Sequence, residues 1–223
     1  GIARTCRSYY MLQQVQARYG LKAPTRIAYW DGAQLVSVSD ALLRDLPRTR
    51  RQLFVEYPGG LRLWLNDHPK ENWRVPSAER GARNAELTLP PAGWAATANK
   101  GELFSYSAWD GTNRVDYIRS PEYVYLDGRG RQFDSPEAVS DGALAIRSRR
   151  RNELEIIHIS GQNPFAIRRP FKISGACVAC DAFDAEGKRI LSVSWRDIEN
   201  ETRIEPAPTA LRYVLQFRKE GKP

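Results

Sequence analysis

Three cysteines, two histidines and a few clustered carboxylates are the side chains of this sequence best suited by type to chemistry. Cys177 and Cys180 form a C-x-x-C, the spacing of thiol–disulfide exchange when the pair opens a helix. Here the surrounding Ala176–Phe183 reads as a strand that runs into Asp184-Ala185-Glu186-Gly187, a hairpin turn. Residues three apart in a strand are separated by about 10 Å, at about 3.3 Å per residue, and point to opposite faces. A disulfide needs Cα atoms within about 7 Å. A zinc site would have to complete its ligands from Cys6, His68 and His158. The expectation is two small hydrophobes in a strand, with no metal and no other cofactor.

Glycosidic acid–base chemistry needs two carboxylates about 5–10 Å apart across a sugar. Asp110, Asp116, Glu122 and Asp127 lie close together in sequence. Asp110 opens an Asp-Gly-Thr-Asn turn and Asp127 precedes Gly128, positions where the side chain ordinarily caps local backbone. Asp116 is expected to face outward on an alternating strand. A His-oriented nucleophile would depend on His68, in a polar loop before Pro69, or on His158, inside a strand; neither has a recognisable partner. No catalytic residue is assigned.

Aromatic rings are the remaining signal. Trp64, Trp73, Trp94 and Trp109, with Tyr106, Tyr117, Tyr123 and Tyr125, crowd between positions 64 and 125. Flat rings stack on the C–H faces of sugars, and the same rings favour strands and fill sandwich cores. Most are expected in the core. Trp64 and Trp109 stand out, the first opposite a leucine face and the second beside a turn. The four tryptophans form the candidate carbohydrate-binding set, which predicts an exposed, coplanar pair among them.

The elements that must position these residues are mostly strands. Arg4 to Tyr19 carries Ile2, Cys6, Tyr9, Leu12, Val15 and Tyr19 at steps of three and four, an amphipathic helix closed by Gly20. Thr25–Trp30 and Gln34–Val38 flank Asp31-Gly32 as a hairpin. A short helix over Ala41–Leu46, capped by Ser39 or Asp40, stops before Pro47. From Arg51 short apolar runs alternate with turn signals, and Pro76 to Ala85 reads as an exposed polar loop. The fold class is mainly β: two β-sandwich domains, the second immunoglobulin- or fibronectin-like, preceded by an N-terminal α-helix. Residues 1–47 read as the tail of a preceding α/β domain, 48–150 as the first sandwich and 151–223 as the second.

The chain has 223 residues, 42% hydrophobic, a globular composition. Its net charge is +8, from 27 arginines and 7 lysines against 26 acids. The denser clusters, Arg48-Thr49-Arg50-Arg51 and Arg147-Ser148-Arg149-Arg150-Arg151, fall at strand junctions and are expected to be solvated or paired. No nucleic-acid partner is expected, since the helical and RNA-binding signatures are missing. No apolar stretch spans a bilayer, so no membrane partner is expected either.

Tyr57-Pro58-Gly59-Gly60-Leu61-Arg62-Leu63-Trp64-Leu65-Asn66, then Asn72-Trp73-Arg74-Val75, then Leu89-Pro90-Pro91-Ala92-Gly93-Trp94 resembles the β-sandwich that follows the (β/α)-barrel of several glycoside hydrolases. The resemblance covers about Leu53–Asp127. It implies a non-catalytic C-terminal region that braces the barrel, its partner being the preceding catalytic domain, and that borders poly- or oligosaccharide. The first helix would then close the barrel, and the chain would be a fragment of a longer, exported protein, extracellular or periplasmic; Asn200-Glu201-Thr202 is a lone sequon in keeping with export. An independent carbohydrate-binding module and a basic interaction scaffold are the alternative readings.

Overall fold

The computed structural model describes residues 1–77, 86–98, 101–191 and 193–218. Most of the polar stretch 76–85 lies outside the described residues. The fold is mainly β and sandwich-like, with antiparallel strand pairs and an N-terminal helix. It forms two compact units, one of Met11–Ser120 and one of Gly1–Tyr10 with Pro121–Pro223.

The helix α1 spans Ile2–Tyr19 and ends at Gly20, whose positive φ of 38° and N–H bond to the Gln16 carbonyl (2.8 Å) close it as the sequence predicts. Its buried face differs from the expected apolar stripe. Met11 and Val15 are buried, whereas Ile2 is 82% exposed and Tyr9 56%. Arg7 and Arg18 sit toward the covered side because each is satisfied there. Arg7 forks onto Asp127 at 2.7 and 3.0 Å, and Arg18 donates to the carbonyl and side chain of Gln14, both at 2.9 Å.

In the Met11–Ser120 unit, β1 (Arg26–Trp30) and β2 (Leu35–Ser37) form the expected hairpin. Asp31 fixes its turn by accepting from the N–H groups of Ala33 (2.8 Å) and Gln34 (2.9 Å). Two short helices follow, α2 (Val38–Leu43) and α3 (Leu46–Thr49). Ser37, rather than Ser39 or Asp40, caps α2 by accepting from the Asp40 N–H. Pro47 does not stop a helix but stands in the first turn of α3, where no donor is needed.

The remaining strands of this unit are β3 (Gln52–Tyr57), β4 (Leu61–Asn66), β5 (Trp73–Pro76), β6 (Glu86–Leu89), β7 (Gly93–Ala98), β8 (Leu103–Asp110) and β9 (Asn113–Arg119). They run in the order β2-β1-β3-β4-β7-β8-β9, and the β5–β6 hairpin reaches β8 through Thr88 and Trp109. One side-chain row crosses the sheet: Ala28, Phe54, Trp64, Ala95, Tyr106 and Tyr117 stand opposite one another in turn. The β5–β6 hairpin lays Trp73, Val75 and Leu89 over that row. Both faces of β4 are therefore covered, and the leucine-opposite face is core as well.

Asn66 pins this hairpin. It is 1% exposed, and its amide donates to the carbonyls of Leu89 (2.8 Å), Pro90 (3.0 Å) and Glu71 (2.9 Å) while its oxygen accepts from Gln52. Gly93 completes the turn: a Cβ there would meet Pro90 and the Ser107 carbonyl within 2.8 Å. The motif residues that carry the sequence resemblance thus meet in one knot.

The other unit holds β10 (Val124–Asp127), β11 (Phe133–Asp134), β12 (Ala138–Ser140), β13 (Ala143–Arg150), β14 (Glu153–His158) and β15 (Phe165–Ile167). It continues with β16 (Ala176–Phe183), β17 (Arg189–Ile190), β18 (Trp195–Ile198), β19 (Glu201–Ile204) and β20 (Arg212–Arg218). β10-β13-β14-β20-β16-β17 form one layer and β11-β12-β15-β19-β18 the other. Phe165 joins them, stacked on His158 at 5.3 Å and edge-on to Tyr213 at 5.4 Å. The basic run 147–151 lies on the β13–β14 hairpin inside this unit.

Candidate functional site: an aromatic cleft rimmed by arginine

A cleft of about 360 Å³ opens in the Met11–Ser120 unit, and every residue lining it lies between Arg26 and Pro76. Its floor follows from register. On β3 and β4, Phe54 and Trp64 face each other with ring centroids 5.3 Å apart, flanked along the row by the small side chains Ala28 and Ala95. Small residues beside large ones leave a hollow that a flat sheet of leucines would fill. Trp73 comes down from β5 and meets Trp30 of β1 at 6.1 Å, inclined at 37°. Trp64 and Trp73 are buried, while Trp30 is half-buried.

One cross-strand row further along, Arg26, Glu56 and Arg62 stand side by side on β1, β3 and β4. Arg62 donates to Glu56 at 2.9 Å, and the Arg26 guanidinium lies over the Phe54 ring at 5.5 Å. Arg74, exposed between Trp73 and Val75, adds a third guanidinium. Beside Trp30, the backbone N–H groups of Gln34 and Ala33, helped by Arg44, hold the Asp31 carboxyl down at about 2. Those hydrogen bonds favour the ionised carboxyl, so the turn keeps its charged acceptor well into acid.

The four tryptophans expected as a binding set do not share a platform. Trp64 and Trp73 belong to the cleft as buried rings rather than an exposed pair. Trp94 and Trp109 fall on the opposite parity of the sheet, paired with Leu65 and Arg114, and both are half-buried. The Trp109 indole donates to Asn72 at 3.1 Å. The sequence reading missed Trp30, Phe54 and the arginine rim. The alternation Arg26-Ile27-Ala28-Tyr29-Trp30 already placed Arg26 and Trp30 on one face; assigning 1–47 to another domain hid their link to Trp64.

Elsewhere the chemistry-bearing side chains are occupied by structure. Asp127 takes Arg7 and also accepts from the Arg129 N–H at 2.8 Å. Asp116 faces inward, 2% exposed, against the expectation of a surface position; it pairs across strands with Ser107. His68 uses Nδ1 to accept from the N–H groups of Glu71 (2.7 Å) and Lys70 (3.2 Å), fixing its loop. His158 is buried against Phe165, and burial lowers its pKa while Asp141 pulls the other way.

Cys177 and Cys180 are not disulfide-bonded, and they depart from the expected geometry. A bulge between Cys177 and Ala179 shifts the register so that Cys177 faces Phe217 and Cys180 faces Leu215, both on one side of β16. Asp197 accepts from the Cys177 N–H at the bulge (2.9 Å). Burial pushes the Cys180 thiol up to about 12 and raises Cys177 too, so neither is a ready nucleophile. Among the described residues no cluster of His, Cys, Asp and Glu has the makings of a metal site.

The basic clusters are largely paired. Arg48 meets Asp45 (2.6 Å), Arg50 meets Glu71 (2.7 Å) and Arg51 meets Asp67; in the other run Arg147 meets Glu155 and Arg150 approaches Glu153 (3.8 Å). Among the described residues no helix is long and apolar enough to cross a membrane. No protein-family model, curated protein or solved structure matches this chain.

The lining of the cleft holds ring faces, three guanidiniums and a single acid that is already neutralised by Arg62. Acid–base cleavage of a sugar would need a second carboxylate there.

Proposed function

We propose that this chain is a non-catalytic accessory region of a carbohydrate-active enzyme and that the cleft between Trp30, Trp64 and Trp73 takes a saccharide. The observation that carries the reading is the convergence of Trp30 and Trp73 above the Phe54–Trp64 pair, with guanidinium donors at the edge and no second acid. A sugar C–H face would meet the half-buried Trp30 ring, which Trp73 and the Phe54–Trp64 pair support from below, while hydroxyls accept from the arginines. The likeness to the sandwich that follows glycoside hydrolase barrels, carried by the Leu61–Asn66 arm and the Leu89–Trp94 turn, supports the enzyme context. So do the exposed Ile2, Tyr9 and Leu12 of α1, an apolar face suited to bracing a barrel. An immunoglobulin-like kinship for the C-terminal strands and an extracellular or periplasmic location belong to the same proposal. The pairing of both basic clusters gives no support to a polyanion scaffold.

Tryptophan fluorescence titrated with a polysaccharide panel tests the reading. At least one saccharide is expected to change the emission saturably. Trp30→Ala, which removes the half-buried ring, should abolish the response, and Trp109→Ala should preserve it. A flat response across the panel overturns the proposal.

A further inference from the structure

The charge at the edge of the cleft says more than the rings do. Three arginines, Arg26, Arg62 and Arg74, line it against one acid, Glu56, so the lining carries two net positive charges. Arg62 is already committed to Glu56. Arg26 and Arg74 have no carboxylate partner among the described residues, unlike Arg48, Arg50 and Arg51, each of which has one. Two exposed guanidiniums without a carboxylate partner at the rim of one cleft are planar forked donors open to an anionic ligand. Their location is also pointed: Arg26 is on β1 and Arg74 on β5, the two strands that supply Trp30 and Trp73 to the same cleft. A ligand stacked on Trp30 would therefore present its edge to a guanidinium from either strand.

We infer that the ligand of the cleft is an acidic saccharide, a sugar carrying a carboxylate or sulfate group that Arg26 and Arg74 receive while its ring lies on the half-buried Trp30. The inference rests on the glycan reading above and adds the charge class. Planar forked donors match both carboxylate and sulfate oxygens, so the two sources share one chemistry. Neutral sugars of the same shape would keep the stacking and lose the ion pairing.

Calorimetric titration of the whole chain with oligogalacturonate, with its fully methyl-esterified neutral form, with a sulfated galactan oligosaccharide and with the unsulfated galactan tests this. Acidic forms should bind at least about tenfold tighter than their neutral counterparts, a difference of about 1.4 kcal/mol. That margin should shrink as salt is raised, because exposed charge pairs are screened. The carboxylate and sulfate arms decide which anion is preferred. Arg26→Gln and Arg74→Gln should each cost the acidic ligand several-fold more affinity than they cost the neutral ligand. Both rim positions are exposed, so folding should survive, which circular dichroism checks. Equal binding of acidic and neutral forms overturns the charge inference and leaves the glycan reading standing. Acidic binding that ignores both substitutions also overturns it, by placing the anion elsewhere. No binding of any saccharide removes the glycan reading and this inference with it.

Discussion

In the C-terminal unit the face carrying Leu154, Ile156 and Tyr213 is closed by a second sheet, whereas in the Met11–Ser120 unit the face carrying Phe54 and Trp64 is closed only by the β5–β6 hairpin. Both faces are rich in rings. A five-stranded layer brings Phe165 down onto His158 and Tyr213, and the three rings interlock. A two-stranded cover is narrower than the sheet beneath it. It seals Trp64 at its centre and leaves Trp30 and the arginines at its margin. The width of the cover, rather than the number of aromatic residues, separates a closed core from a cleft.

The strongest way to break this comparison is to empty the closed core. Phe165→Ala should cost about 3–5 kcal/mol, since it removes the ring that joins both layers. Denaturant unfolding measures it, and the cleft in the other unit should bind its ligand unchanged in native protein. Next, Asn66→Ala leaves the buried carbonyls of Leu89 and Pro90 without their donor and should cost about 2–3 kcal/mol. Here stability and ligand response should fall together, because the knot holds the hairpin that shapes the cleft.

Two smaller effects are read by pH. The folded-state pKa of His158 lies below its ordinary 6.5 because burial disfavours the charged ring. The unfolded chain therefore binds the proton more readily, and stability present at neutral pH is lost as pH falls below 6.5. His158→Leu should flatten that acid-side slope in denaturant melts. Asp31 is also lowered, from 3.8 to about 2, but by hydrogen bonds that favour its charged form. Its contribution is present above 3.8 and is lost as pH falls toward 2, so the Ala33 and Gln34 amide resonances should titrate over that window. Asp31→Asn should remove the titration with little change in overall stability.

Much of the fold was legible in residue pattern. The β1–β2 and β3–β4 hairpins followed from Asp31-Gly32 and Pro58-Gly59-Gly60, because turn conformations are dictated locally. His158 was legible as a strand residue, and it lies buried in β14. The helix was legible but its orientation was not. Of its apolar stripe Val15 is buried while Ile2, Tyr9 and Leu12 are exposed, and Arg7 lies toward the covered side on Asp127, a partner that no local pattern encodes. The bulge at Cys177 reversed a face assignment for a similar reason: one extra residue in a ladder is decided by Asp197, from another strand.

The sequence by itself determined a β-rich chain, its main turns, and a ring-dense stretch with no pair of acids or thiols poised for reaction. Only the tertiary structure decided which rings meet. Trp30 and Trp64 are far apart in sequence, and their encounter depends on strand order and on where a short hairpin lies across the sheet. Such long-range placement depends on the packing of whole layers, and no local propensity contains it.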